Sequence, residues 1–196
     1  MAAAAGMAVP AALKAINVAV QTAVKRLYTE KVRPLEQLFQ FDGLNDLMTE
    51  AEFDAKPSVL LIGQYSVGKT TFIRNLVGCE FPGQMIGPEP TTDRFMAVVH
   101  GKEFKTIPGN SAVVSTSMPY RSLSRFGIDF LNKFECSTCP SSFLEDVSLI
   151  DTPGILSGKK QTHGRQYNFQ EIVNWFAAPK IWNCHLRGGV SQLSMH

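Results

Sequence analysis

The sequence predicts an α/β fold of the phosphate-loop NTPase type, and three stretches carry that prediction. Ser58-Val59-Leu60-Leu61-Ile62 is an apolar run that ends in Gly63-Gln64-Tyr65-Ser66-Val67-Gly68-Lys69-Thr70, and Phe72, Ile73, Leu76 and Val77 then recur at helical spacing. Val147-Ser148-Leu149-Ile150 is a second apolar run and ends in Asp151-Thr152-Pro153-Gly154. Phe95-Met96-Ala97-Val98-Val99-His100 is a third and follows Thr91-Thr92-Asp93. Apolar strands that break at polar, glycine-bearing turns and alternate with helical patterns describe a sheet covered by helices, with its chemistry at strand ends.

The first stretch fits the pattern G-x-x-x-x-G-K-[ST]. Gly63 and Gly68 let the backbone curl so that its N–H groups face an anion, and the helix start that follows adds positive potential. Lys69 is placed to reach the β and γ phosphates of a nucleotide, and the Thr70 hydroxyl to ligate Mg²⁺, a hard cation that prefers oxygen. In the second stretch Asp151 ends a buried strand and aims at the metal's water shell, while the Gly154 N–H can sense a γ-phosphate. Asp-Thr-Pro-Gly by itself also fits an aspartic-protease motif. The phosphate loop upstream favours the nucleotide reading, because both motifs then end strands of one sheet. Thr91 and Thr92 sit at a loop-to-strand junction, where a nucleotide switch places the threonine that meets Mg²⁺ and the γ-phosphate.

Composition narrows the function classes. With 196 residues the chain can bury the core of one ordinary domain, and 44% hydrophobic with 18% charged residues excludes wholesale disorder. A net charge of +2 without a basic cluster gives no footprint for nucleic acid. No apolar run is long enough to span a membrane, so membrane contact is expected to be peripheral. The four cysteines, Cys79, Cys136, Cys139 and Cys184, are too scattered for a disulfide framework, which favours a reducing, intracellular setting. Cys136-Ser-Thr-Cys139 could pair only with Cys184, His185 or His163 to hold zinc, and is read as two ordinary thiols at a helix end.

In chain order, residues 1–12 are alanine-rich and expected to be frayed, and residues 13–56 form a helical arm and linker. Leu13, Ile16, Val20, Val24 and Leu27 make one apolar stripe that needs a partner surface, and Pro34 marks a kink or a fresh helix start. Residues 57–179 form the nucleotide-binding part. Within it Ile107-Pro108-Gly109-Asn110 reads as a turn, and Leu123, Phe126, Phe130, Leu131 and Phe134 fall on one face of a helix. Asn132-Lys133-Phe134-Glu135 superficially resembles the element that reads guanine in GTPases, but it precedes the Asp151 motif and sits on that expected helix. Asn168 and Glu171 predict a capping box for a helix bearing Phe169, Ile172, Val173 and Phe176. Residues 180–196 show no sustained periodicity and are expected to be a divergent tail that ends the strand-helix alternation.

Pro34-Leu35-Glu36-Gln37, Phe53-Asp54-Ala55-Lys56-Pro57, the loop from Gly63 to Arg74, Ile86-Gly87-Pro88-Glu89-Pro90-Thr91-Thr92-Asp93 and Asp151-Thr152-Pro153-Gly154-Ile155-Leu156-Ser157-Gly158 together closely resemble the EH-domain-containing family of dynamin-related ATPases. The likeness covers residues 21–179. It implies a dynamin-type G domain that binds ATP in place of GTP, self-assembles on curved endocytic membranes and hydrolyses slowly. It also implies a cytoplasmic protein, peripheral on endosomal or plasma membrane. Carried over position by position, Gly63, Gln64, Tyr65, Ser66, Val67, Gly68, Lys69, Thr70, Thr71, Asp151 and Gly154 bind nucleotide, Lys69 and Thr92 are catalytic, and Thr70, Thr92 and Asp151 serve Mg²⁺.

Two positions depart from the resemblance, Val67 where the family often has threonine and Lys159 where glutamate is usual. After residue 179 the family's later strands, base-recognition element, helical membrane-binding part and EH module do not follow. The expectation is therefore a partial domain with an incomplete sheet and marginal stability, since a parallel sheet without its later strands exposes an apolar edge and face. Two alternatives stand beside an ATPase: a non-catalytic remnant acting as an interaction fragment, and a GTP-binding dynamin relative.

Overall fold

Leu60 and Leu61 are consecutive and both fully buried, so the strand that carries them, β1 (Ser58–Gly63), is covered on both faces. This computed structural model describes residues 11–41, 48–64, 66–84, 93–155, 166–177, 181–187 and 190–194, the last two stretches as backbone alone. They divide into two compact units, Met1–Ala55 with Thr116–Ser122, and Lys56–Ser115 with Leu123–His196.

The first unit is the helical arm. Helix α1 (Ala11–Leu27) runs through a five-residue π-helical turn (Tyr28–Val32) into α2 (Arg33–Leu38). Pro34 has no N–H and its ring crowds the carbonyl four residues back. The wider turn relieves this, with the Arg33 N–H donating to the Tyr28 carbonyl five residues away. A short helix, α3 (Glu50–Phe53), opens on a capping box between Thr49 and Glu52. The Tyr28 hydroxyl donates to Glu36 at 2.6 Å and accepts the Met48 N–H, and its ring centroid lies 5.1 Å from that of Phe53. Ile16 (56%), Val20 (55%), Val24 (48%) and Leu27 (59%) stay exposed.

The second unit is a seven-stranded mixed sheet built from β1, β2 (Phe95–His100), β3 (Lys105–Pro108), β4 (Phe134–Cys139), β5 (Ser148–Asp151), β6 (Ile181–Arg187) and β7 (Val190–Ser194), in the order β3-β4-β2-β5-β1-β6-β7. β1 pairs in parallel with β5 on one side and β6 on the other, and β2 runs antiparallel to β5. Alternation along the strands divides the core. Leu61, Met96, Val98, Leu149 and Cys139 pack with Ile73 and Val77 of α4 (Lys69–Val77). Phe95 and Phe134 join Phe130 of α6 (Gly127–Leu131) and Phe176 of α7 (Phe169–Ala177) in a cluster whose ring centroids lie 5.6 to 6.1 Å apart. Helices thus cover both faces, as the α/β prediction requires.

Three local expectations are corrected. The helix expected to run through Phe134 is a 3₁₀ turn (Arg121–Phe126) and the short α6, and Phe134 opens β4 instead. Phe126, Phe130 and Phe134 mimic a helical face, yet the chain turns at Asn132 and the Phe134 ring is carried into the core by a strand. Cys136 and Cys139 therefore lie on that strand and, three residues apart, face opposite sides of the sheet. Ile107 and Pro108 belong to β3, and α5 (Gly109–Val114) starts at Gly109. A Cβ there would meet the Leu131 carbonyl oxygen at 2.4 Å and that of Phe134 at 2.8 Å. The tail expected to end the alternation supplies β6 and β7, with Ser58 to Gly63 in register with Ile181 to Leu186. The Ser157–Gln166 loop falls, except for Gln166, outside the described residues, as does Lys159.

Phe95 is fully buried against four aromatic neighbours. Phe95→Ala is expected to cost about 3–5 kcal/mol in urea denaturation, while Phe104→Ala, at an exposed ring, should stay within about 0.5 kcal/mol of the parent.

Candidate functional site

The C-terminal ends of β1 and β5 lie side by side because Leu61 and Asp151 are in register. Pairing continues past both strands through a parallel bridge between Gln64 and Ile155, with the Ile155 N–H donating to the Gly63 carbonyl at 3.0 Å. Between β1 and α4 the chain turns sharply, with φ of 58° at Ser66 and 85° at Gly68. Among the described residues nothing lies within 4 Å of a Cβ built on Gly68, and its left-handed backbone angle is what calls for glycine. The Gly68 carbonyl accepts the Phe72 N–H at 2.8 Å and starts the helix.

Lys69 and Thr70, the first two residues of α4, are both buried. The Lys69 ammonium donates to the carbonyls of Gly63 at 3.2 Å and Gln64 at 3.0 Å, and so folds back over the loop. The Thr70 hydroxyl donates to Asp151 Oδ2 at 2.5 Å, which joins the two sequence motifs in one contact. Asp151 is 1% exposed, and its other oxygen, Oδ1, has no hydrogen-bond partner among the described residues. Burial pushes its pKa up to about 6, against the opposing pull of the Thr70 hydroxyl, the Lys69 charge and the Thr152 backbone.

Of the other predicted residues, Gly63 and Gly154 are buried, Val67 and Thr71 half-buried, and Gln64, Ser66 and Gly68 exposed. Tyr65 and Thr92 lie outside the described residues. One contributor was not legible in the sequence: the Thr152 hydroxyl donates to the Leu61 carbonyl at 2.7 Å and ties the end of β5 to β1. A threonine after a strand-end aspartate carries no signal of that partner, because the pairing of two distant strands creates it.

No cluster of three or more candidate metal ligands occurs among the described residues. The Thr70 hydroxyl and the orphaned Asp151 oxygen nevertheless fit Mg²⁺, which usually takes one or two protein oxygens and completes its octahedron with water and phosphate. Those two residues could hold such an ion, directly or through its waters.

Comparison with known proteins matches residues 59–181 to the Dynamin family and residues 23–54 to the family described as N-terminal EH-domain containing protein. EH domain-containing protein 2 of Arabidopsis thaliana is 53% identical over 156 residues, which cover 79% of this chain and 29% of that protein. EH domain-containing protein 1 of Bos taurus is 50% identical over 159 residues, 81% of this chain and 30% of that protein. The chain thus spans under a third of the length of these curated relatives. A solved structure of an oligomerised bacterial dynamin pair is 22% identical, with a TM-score of 0.36 over 56% of this chain and 18% of that one.

The raised Asp151 pKa has a stability consequence of definite sign. In the unfolded chain the carboxyl titrates near ~3.9. The folded state holds its proton more tightly, so the buried group costs nothing below both values and its full share once pH exceeds the folded value of about 6. Asp151→Asn is expected to be no more stable than the parent at about pH 3, and more stable by on the order of 3 kcal/mol above the folded value. Urea denaturation of both proteins across that range, with chelator and without nucleotide, measures the difference.

Proposed function

Since this chain belongs to the dynamin family, in its EH-domain-containing branch, we propose that it binds ATP through residues 63–71 and hydrolyses it with Mg²⁺ in the service of membrane remodelling. The observation that carries this reading is the Thr70–Asp151 contact at 2.5 Å, which brings a helix-start hydroxyl and a buried carboxylate with a free oxygen together beside Lys69. A structural hydrogen bond alone would not require a costly buried acid at a glycine-bounded loop.

In the proposed mechanism the Lys69 ammonium exchanges the Gly63 and Gln64 carbonyls for phosphate oxygens of higher charge. Backbone N–H groups of the loop and the start of α4 hold the remaining phosphate oxygens. Asp151 accepts from the Thr70 hydroxyl and, as the carboxylate, would supply an oxygen to the metal's side of the site. Thr92 orders the water that attacks the γ-phosphorus as the bond to the β–γ bridging oxygen breaks, and the Gly154 N–H senses the γ-phosphate. Thr70 and Asp151 are the residues that would hold Mg²⁺, which would supply positive charge against the charge developing on the phosphate. Positioning and electrostatics are the main contributors to rate.

No helix among the described residues is long and apolar enough to cross a membrane. Membrane contact in this reading is peripheral, on endosomal or plasma membrane, and accompanies self-assembly. The identity to EH domain-containing proteins supports it.

Calorimetric titration with ATP and GTP, with and without Mg²⁺, tests the proposal. Lys69→Ala is expected to weaken ATP binding more than about tenfold, the loss of one strong charge-assisted contact. Thr70→Ala should retain metal-free binding and lose the enhancement by Mg²⁺. Equal affinity for GTP would instead favour a GTP-binding relative, and silence towards both nucleotides a non-catalytic interaction fragment.

A further inference from the structure

Asn132-Lys133-Phe134-Glu135, which resembles a base-reading element, is engaged elsewhere. Lys133 Nζ donates to Asp93 Oδ2 and Arg94 Nη1 donates to Glu135 Oε1, while Arg94 Nε lies 3.4 Å from Asp93 Oδ1. The four side chains form one alternating network across the starts of β2 and β4. Phe95 and Phe134, the first residues of those strands, are in register and buried in the aromatic cluster beneath it. The Phe95 N–H donates to the Lys133 carbonyl at 2.7 Å and closes the ladder directly beside the ion pairs.

The same carboxylate also meets the chain further back. Gly83 adopts a φ of 80°, and a Cβ built there would lie 2.8 Å from Met96 Cε and 3.3 Å from Glu135 Oε2. The chain therefore leaves this strand end at Gly83 and returns to it at Asp93 and Arg94, with Glu135 under both points. Thr92, the residue proposed to order the attacking water, immediately precedes the returning anchor in sequence.

We propose that Lys133 and Glu135 are positioning residues for hydrolysis, acting through Asp93 and Arg94 to hold the backbone of the two residues that follow Thr92 in sequence and lead into β2. The proposal rests on the ATPase reading above for its kinetic consequence and on the ion-pair geometry for its structural one. Neither Lys133 nor Glu135 touches nucleotide or metal in this role. Their removal should leave ground-state binding intact and lower the rate of the chemical step. The Lys133–Asp93 pair is half-exposed and contributes little to global stability, while Glu135 is largely enclosed and Glu135→Gln keeps a hydrogen-bonding side chain of the same shape there, so the fold should tolerate either loss.

The test compares the parent with Glu135→Gln, Lys133→Met and the charge exchange Arg94→Glu with Glu135→Arg. ATP affinity, kcat, melting temperature and amide hydrogen exchange of residues 93–95 are measured for each. Expected in both single variants are ATP affinity within about twofold of the parent, kcat lower by about fivefold or more, and amide exchange in 93–95 faster by a similar factor. The charge exchange should recover most of both losses. Unchanged kcat and exchange in Glu135→Gln and Lys133→Met would overturn the proposal, as would a rate loss matched by weaker ATP binding or a lowered melting temperature. If the parent binds no nucleotide, the ATPase reading fails. Exchange in the nucleotide-free chain then decides alone: faster in the single variants upholds the anchor, and equal rates sink it.

Discussion

The register between β1 and β5 is the constraint on which the candidate site depends. With Leu61 opposite Asp151, the Asp151 carboxylate comes within 2.5 Å of a hydroxyl on the first turn of α4, and the Thr152 hydroxyl reaches the Leu61 carbonyl. A slip of one residue would turn the Asp151 side chain to the opposite face of the sheet and separate it from Thr70. The bridge between Gln64 and Ile155 extends the same register into the loops, so the phosphate-loop start and the residues after Asp151 are fixed by a single alignment.

That alignment is held from both faces. Ile73 and Val77 of α4 pack on Leu61 and Leu149, which couples the helix bearing Lys69 and Thr70 to the two strands whose ends it faces. On the other face the aromatic cluster anchors the starts of β2 and β4, where the ion pairs of Asp93, Arg94, Lys133 and Glu135 are built. One layer positions the phosphate loop and the other the return to β2. β6 covers the far side of β1, so the strand carrying Gly63 is a central strand and has no open edge.

Charge burial runs against stability at the centre of this arrangement. Asp151 is almost inaccessible, has an oxygen without a partner among the described residues and holds its proton more tightly than a free carboxyl. Lys69 is equally enclosed and uses loop carbonyls as acceptors. This local conflict sits within an otherwise consistent core, and the proposed nucleotide site coincides with it.

The sequence by itself determined the α/β class, the phosphate loop with its strand and helix, and the placing of that loop and Asp151 at strand ends of one sheet. Those signals are local: glycine spacing, a lysine-threonine pair at a helix start, and apolar runs of strand length. Tertiary structure decided what periodicity could not. Phe126, Phe130 and Phe134 read as a helical face, and the packing of Phe134 with Phe130 and Phe176 belongs instead to a strand that follows a turn. Ile181–Arg187 has no pattern of its own and becomes a strand by pairing with β1. Lys133 and Glu135 acquire a role only when β2 and β4 bring Asp93 and Arg94, 40 and 41 residues away, into contact. Spacing along the chain encodes chemistry that one turn or one helix end can present, whereas register and ion pairing belong to residues that meet only after the sheet forms.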